Sequence, residues 1–190
     1  MKKELIFLLC FLITAVCVSQ RKKALYLSSE LEIGNYLGAG IDLNYLHKDK
    51  YSFSIGAQGQ LSVPTNTPKD YDNSDDLPFA NLKSVGTIRV LMGRVFNLSS
   101  KRLTRLNLQI GVSLNTIEKP TDWIRTEKTA EGYKYKYRND KDKSMGFVIS
   151  PSIEFPLFNL VGFKVAPKVH FTKGEIFAGV GFGVLLGDLK

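Results

Sequence analysis

The chain has 190 residues, 44% of them hydrophobic and 23% charged, with a formal net charge of +8, a length that suits one domain. Two cysteines and two histidines leave too few sulfur and nitrogen ligands for a zinc or dinuclear centre, and no cofactor is implied. A basic excess can signify nucleic acid, but the cations are spread along the chain rather than gathered in one patch, and the first segment argues for export, away from that partner.

Lys2 and Lys3 precede an apolar run over residues 5–18. The run is too short to span a bilayer and suits the core of a signal peptide. Cleavage is expected after Ser19, with Cys17 and Ser19 as the small residues before the cut. Residues 1–19 are therefore read as a cleaved signal and 20–190 as the mature domain. Cys10 and Cys17 leave with the signal, so no thiol and no disulfide remain. The alternative, a lipoprotein acylated on Cys17, meets the bulk of Val16 just before it.

The first predicted strand, about 24–33, sets Leu25, Leu27, Leu31 and Ile33 against Tyr26, Ser28, Glu30 and Glu32, and Gly34 and Asn35 turn the chain. The second, 36–46, places Leu37, Ala39, Ile41, Leu43 and Tyr45 against Gly38, Gly40, Asp42 and Asn44. After a charged turn at 47–50, the third runs over 51–61, with Tyr51, Phe53, Ile55, Ala57 and Leu61 on one face and Ser52, Ser54, Gly56, Gln58 and Gln60 on the other. A loop must follow, because Pro64, Pro68 and the aspartates Asp70, Asp72, Asp75 and Asp76 oppose any ladder. Its acidic spacing does not match an EF-hand calcium loop.

The fourth strand, 84–96, is less regular: Ile88, Val90 and Met92 share a face onto which Arg94 also falls, so Arg94 is expected beyond the lipid boundary or after a bulge. The fifth, 105–114, returns to strict alternation, Leu106, Leu108, Ile110, Val112 and Leu114 against Arg105, Asn107, Gln109, Gly111 and Ser113. A second long loop is predicted over 116–143. The sixth strand covers 145–155, the seventh 163–171 and the eighth 176–187. Pro151 and Pro167 fall inside the sixth and seventh. A turn centred near residue 159 sets them opposite one another, which predicts a local bulge or split.

Period-two alternation describes a strand between two unlike environments. A face in water would carry Lys and Glu, whereas the polar faces of the third and fifth strands are mainly Ser, Gly, Gln and Asn. That composition suits a tightly packed polar lumen with the apolar face toward lipid. The number of strands is even, and each is long enough to cross a membrane at a tilt. Both long connections follow odd strands and so emerge at one end, opposite the short turns at 47–50, 97–101 and 156–160. Aromatic residues Tyr45, Tyr51, Phe96, Phe155, Phe158 and Phe163 bracket those short turns, as at a membrane interface. The predicted fold is all-β: an eight-stranded antiparallel up-and-down transmembrane β-barrel.

The export signal, eight strands and loop parity resemble the small eight-stranded outer-membrane barrels, the OmpA/OmpX-like group, and look most like those of the Bacteroidota. The resemblance spans about residues 24–188 and involves no short motif. It implies an integral protein of a Gram-negative outer membrane with a non-enzymatic structural or surface-interaction role. One departure is the end, Gly187-Asp188-Leu189-Lys190, where such barrels finish on an aromatic residue.

The presumed lumen holds Glu30, Glu32, Asp42, Arg89, Arg105, Glu154, Lys164, Lys168 and His170. In a barrel of this width they are expected to pair as a side-chain plug, since an unpaired buried charge is costly. In the second loop, Tyr133-Lys134-Tyr135-Lys136-Tyr137-Arg138 alternates rings with cations. As an extended ribbon it offers Lys134, Lys136 and Arg138 to lipopolysaccharide phosphates, and Trp123 and the tyrosines to sugars. The expected partner is outer-membrane lipid. Two rival readings are a soluble exported lipocalin-like barrel with its apolar face inward around a ligand, and an envelope lipid hydrolase using His170 with a serine and Glu154. Hairpin register sets His170 opposite residue 148, about 20 Å along the strand from Glu154, which opposes the second.

Overall fold

The computed structural model describes residues 23–64, 66–71, 81–99, 104–129 and 132–189. The expected export signal and Asp72, Asp75 and Asp76 lie outside them. Eight strands close into an antiparallel barrel in chain order: β1 Lys23–Gly34, β2 Leu37–His47, β3 Tyr51–Ser62, β4 Lys83–Asn97, β5 Arg105–Lys128, β6 Tyr133–Phe155, β7 Val161–Thr172 and β8 Glu175–Gly187. Closure pairs β1 with β8, so every strand of the barrel wall has two neighbours. That is the condition for a sheet to exist where no water can satisfy an edge.

Side chains point as the alternation predicts. On β5, Leu108 and Ile110 are 44% and 50% exposed while Asn107, on the opposite face, is 0% exposed. Leu31, Ile41, Ile55, Ile88, Val90, Met145 and Phe182 are likewise turned out of the barrel. Ser28, Asn44, Ser54, Gln58 and Ser152 are turned in. The lipocalin-like reading required the reverse and is overturned by this direction.

Apolar residues do enter the barrel at its two ends. Ala24, Tyr26, Leu46, Val95, Leu185 and Leu189 form a buried layer at the short-turn end. Tyr36, Val85, Ile117 and Phe177 form another toward the long-loop end. Leu189 reaches its layer because the chain folds back after β8. Asp188 N donates to Leu25 O at 3.0 Å and Leu189 N to Asn159 O at 2.9 Å.

Turn chemistry supports the short end. Lys48 and Asp49 have φ of 53° and 54°, and Lys50 N donates to His47 O at 3.1 Å. These are the marks of a type I′ turn, whose twist matches that of paired strands. Gly174, in the two-residue β7–β8 turn, has φ of 83°, a conformation that costs glycine little.

The β3–β4 ladder runs without interruption from Tyr51↔Arg94 to Ser62↔Lys83, so Arg94 needs no bulge. It lies at the rim, its guanidinium carbon 5.2 Å from the Phe96 ring centroid. The β6–β7 ladder pairs Ile149 with Val169 and Ile153 with Val165, with no pair between. Pro151 and Pro167 are therefore opposite, and the seam is split at that point. The predicted loop over 116–143 is a correction: it is mostly strand, since β5 and β6 remain paired from Arg105↔Glu154 to Lys128↔Tyr133 and project beyond the barrel as a two-stranded ribbon. The Lys, Asp and Tyr composition that reads as loop is what strands acquire once neither face meets hydrocarbon.

Candidate functional site: the lumen network and the outer ribbon

All nine charged residues expected in the lumen are buried there. They form two groups, with His170 apart from both. In the larger, Arg89 of β4 reaches Asp42 of β2 twice, Nε to Oδ1 at 2.9 Å and Nη2 to Oδ2 at 2.8 Å, and Glu30 of β1 at 2.5 Å. Lys164 lies 2.9 Å from Glu30, and Lys168 pairs with both Glu30 and Glu32. Three carboxylates thus face three cations, which removes the penalty of an uncompensated charge in the interior. Tyr36 donates to Glu32 at 2.5 Å and Gln58 Nε2 donates to the same oxygen at 2.5 Å.

The second group is Arg105 and Glu154, 2.6 Å apart. Glu154 also accepts from Tyr26 at 3.1 Å and from Asn107 at 3.0 Å. Uncharged groups link the two. Ser52 donates to Asn107 at 2.7 Å, Gln109 to Ser54 at 2.6 Å, Ser54 to Asn44 at 2.7 Å, Asn44 to Ser28 at 3.0 Å and Lys164 to Ser28 at 3.1 Å. Glycine supplies the room: a Cβ on Gly56 would overlap the Asp42 carboxylate, and one on Gly183 would press on Lys164 and Glu30.

His170 has its Nε2 2.8 Å from Ser113 Oγ. It is opposite Val148 in the ladder, while Glu154 is opposite Lys164. The serine, histidine and glutamate therefore do not assemble as a triad. The tyrosines Tyr26 and Tyr36 join the charged lumen residues as hydrogen-bond donors. Their inward parity is legible, but their role as phenol donors to Glu154 and Glu32 depends on the packing of the closed barrel.

On the ribbon, β6 keeps its parity, so Tyr133, Tyr135 and Tyr137 continue the barrel's outer face and Lys134, Lys136 and Arg138 the inner one. Two register shifts occur on β5, between Thr121 and Ile124 and between Arg125 and Glu127, and Asp122 has φ of 54°. A bulge flips the parity beyond it. Here it turns Trp123 onto the tyrosine face, 5.0 Å from Tyr137 and 6.3 Å from Tyr135 between ring centroids.

Part of that aromatic face is occupied from within the chain, and Trp123, Tyr133, Tyr135 and Tyr137 are half-buried. The segment 66–71 crosses the ribbon from Pro120, whose carbonyl accepts from Asn66 at 3.0 Å, to Tyr133, which bridges Tyr71 in parallel. Tyr71 packs 5.3 Å from Trp123 and 6.1 Å from Tyr135. Asp70 accepts from Tyr135 at 2.8 Å and pairs with Arg125 at 2.6 Å. The Tyr135 hydroxyl and the Arg125 charge hold the Asp70 carboxyl below its ordinary range. Arg125 also stacks on Tyr133, 3.9 Å from the centroid. Of the cations expected to grip phosphates, Arg138 is occupied by Asp122 at 3.1 Å and Asp140 at 3.2 Å.

A closed eight-stranded barrel with an apolar exterior and a polar, ion-paired interior is the architecture of a membrane-spanning β-barrel. No family model matches the chain, and no curated protein matches it. Among solved structures it is similar to a major outer membrane protein of Thermus thermophilus, at 11% identity and a TM-score of 0.58, over 86% of this chain and 99% of that one. It is similar also to the N-terminal β-barrel domain of Pseudomonas aeruginosa OprF, at 8% identity and 0.51, over 88% and 99%. Ail, the attachment invasion locus protein of Yersinia pestis, aligns at 7% identity and 0.51 over the same shares. At such identities the likeness is one of fold.

Proposed function

We propose that the chain is an integral outer-membrane barrel of a Gram-negative envelope, exported by residues 1–19, non-enzymatic, with a structural or surface-interaction role. The single observation that carries this is the belt of outward apolar side chains around a buried polar interior. In water such a surface would aggregate. The placement among Bacteroidota-type barrels rests on the strand and loop pattern alone. Fractionation tests the reading: the protein is expected with the outer membrane and released only by detergent, and recovery from a detergent-free periplasmic extract rejects it.

The lumen is closed by side chains in this reading, because the six charges of the larger group balance. In a planar bilayer the barrel is expected to show no steady ion conductance; sustained unit conductance rejects the plug.

The lipid partner is best served by other cations than those the sequence suggested. The outward belt ends at Leu114↔Met145, and the next outward pairs are Thr116↔Lys143 and Glu118↔Lys141. Lys141 is bound to Glu118 at 2.6 Å, and Lys143 is exposed. These lysines stand at headgroup level on the lipid side, where lipopolysaccharide phosphates lie, whereas Lys134, Lys136 and Arg138 continue the inner face. Weaker retention of K143Q on lipopolysaccharide bilayers, with K136Q unchanged, supports this assignment.

A further inference from the structure

The long-loop mouth of the barrel carries a cavity of about 430 Å3, separate from the ribbon's aromatic face. Its walls come from five places in the chain: Asn35 after β1, the segment leaving β3, Lys83 opening β4, Lys119 and Thr121 on β5, and the β7–β8 turn with Phe177. The walls are fixed by their own hydrogen bonds. Asn35 donates to Ile176 O at 2.8 Å and accepts from Ala178 N at 2.9 Å, and Asn66 is tied to Pro120. A preformed concave site with a few convergent polar groups is what small-ligand binding requires.

Its charge is unbalanced. Lys83 is buried, 5.0 Å from the Phe177 centroid and paired with Glu175. Lys119 lines the same cavity and has no ion-pair partner among the described residues. Asp140, opposite Lys119 in the ladder, is held by Arg138 at 3.2 Å. Among the described residues lining the cavity, two ammonium groups and one carboxylate leave one positive charge in excess. Burial, reinforced by the Lys119 charge, holds Lys83 below the usual lysine range, and both cations line one cavity, where like charges repel. An anion between them relieves that repulsion and gains charge-assisted hydrogen bonds.

We propose that this mouth binds a small soluble anion, a phosphate or carboxylate borne on a body of about monosaccharide size, between Lys83 and Lys119 above the Phe177 ring. The cavity volume accommodates a ligand of that class, and the ring beside Val63 and Pro64 supplies apolar contact for its body. The site is lined from the long-loop end of the barrel, and the soluble sugars in the test separate a free anion from a lipid headgroup. The proposal stands independently of where in the cell the barrel resides.

The test uses the full mature chain folded in an uncharged polyoxyethylene detergent, titrated by calorimetry with inorganic phosphate, glucose 6-phosphate and glucuronate, with glucose as the neutral control. Saturable binding of the phosphorylated or carboxylated sugar above glucose is expected. Loss of one charge-assisted contact in K119Q, an exposed position that leaves the barrel intact, weakens it by about tenfold or more. E175Q strengthens binding, because Glu175 competes for Lys83, while K50Q at the opposite end leaves it unchanged. K83M also abolishes it, with circular dichroism confirming the fold. Absence of saturable binding, equal affinity in K119Q, or glucose bound as well as its phosphate overturns the proposal.

Discussion

Arg89 holds Asp42 by two parallel nitrogen-to-oxygen contacts, at 2.9 and 2.8 Å, across two intervening ladders of the barrel wall, while its remaining guanidinium nitrogen turns to Gln58. One side chain thereby ties β4 to β1, β2 and β3. Removing it leaves Glu30, Glu32 and Asp42 against two lysines. R89M is expected to lower stability by about 3–5 kcal/mol, as for other buried pairs broken on one side. R89K, lacking the planar fork, is expected to fall between. Urea unfolding in lipid vesicles measures both, and a loss in R89M no larger than that of a surface lysine would reject the network's structural role.

Ile110→Lys on the outer face is expected to destabilise the folded barrel in bilayers by about 2–4 kcal/mol if it sits near the midplane. A barrel with that face in water would register almost no change.

Trp123 is the single tryptophan, so its emission reports on the covered aromatic face alone. Y71A is expected to shift that emission to the red without altering the unfolding midpoint of the barrel. Unchanged emission would show that segment 66–71 does not cover the ring.

The same emission follows pH. Asp70 is held below its ordinary range by Tyr135 and Arg125, so its contribution to closing the segment is complete above the unfolded value of about 4. It is lost as pH falls through the lower folded value. A plateau from neutrality down to the ordinary aspartate range, then a red shift on further acidification, is expected, and D70N is expected to lack that transition. A transition near neutrality would point to another group.

Pro151 and Pro167 each withhold a donor from the one interrupted stretch of the β6–β7 ladder. P151V/P167V is expected to restore hydrogen bonds there and raise stability by about 1 kcal/mol, read as a higher urea midpoint. Destabilisation would mean that the split seam fits its surroundings better than a continuous one.

Much of the barrel is legible without coordinates. The faces of Leu106, Leu108 and Ile110, the nine lumen charges and the opposed prolines all follow from parity and hairpin arithmetic, which are local properties of a strand. The ribbon reads as loop because its alternation sets tyrosines against charges, without the aliphatic face that marks the strands of the barrel wall. The partial cover over its aromatic face is invisible for a different reason. Trp123 changes face through a bulge at Asp122, and Tyr71 arrives from the connection between β3 and β4, far from the ribbon in sequence.

The amino-acid order by itself determined which side chains face lipid and which face inward, because alternation has a period of two whatever the strand pairs with. Only closure of the barrel decided that Glu30, Asp42, Arg89 and Lys168 join one neutral group, and that Lys83, Lys119 and Glu175 line one cavity. Those partners come from strands up to 138 residues apart, and their meeting depends on ladder register and strand tilt around the whole circumference. No window of sequence contains that information.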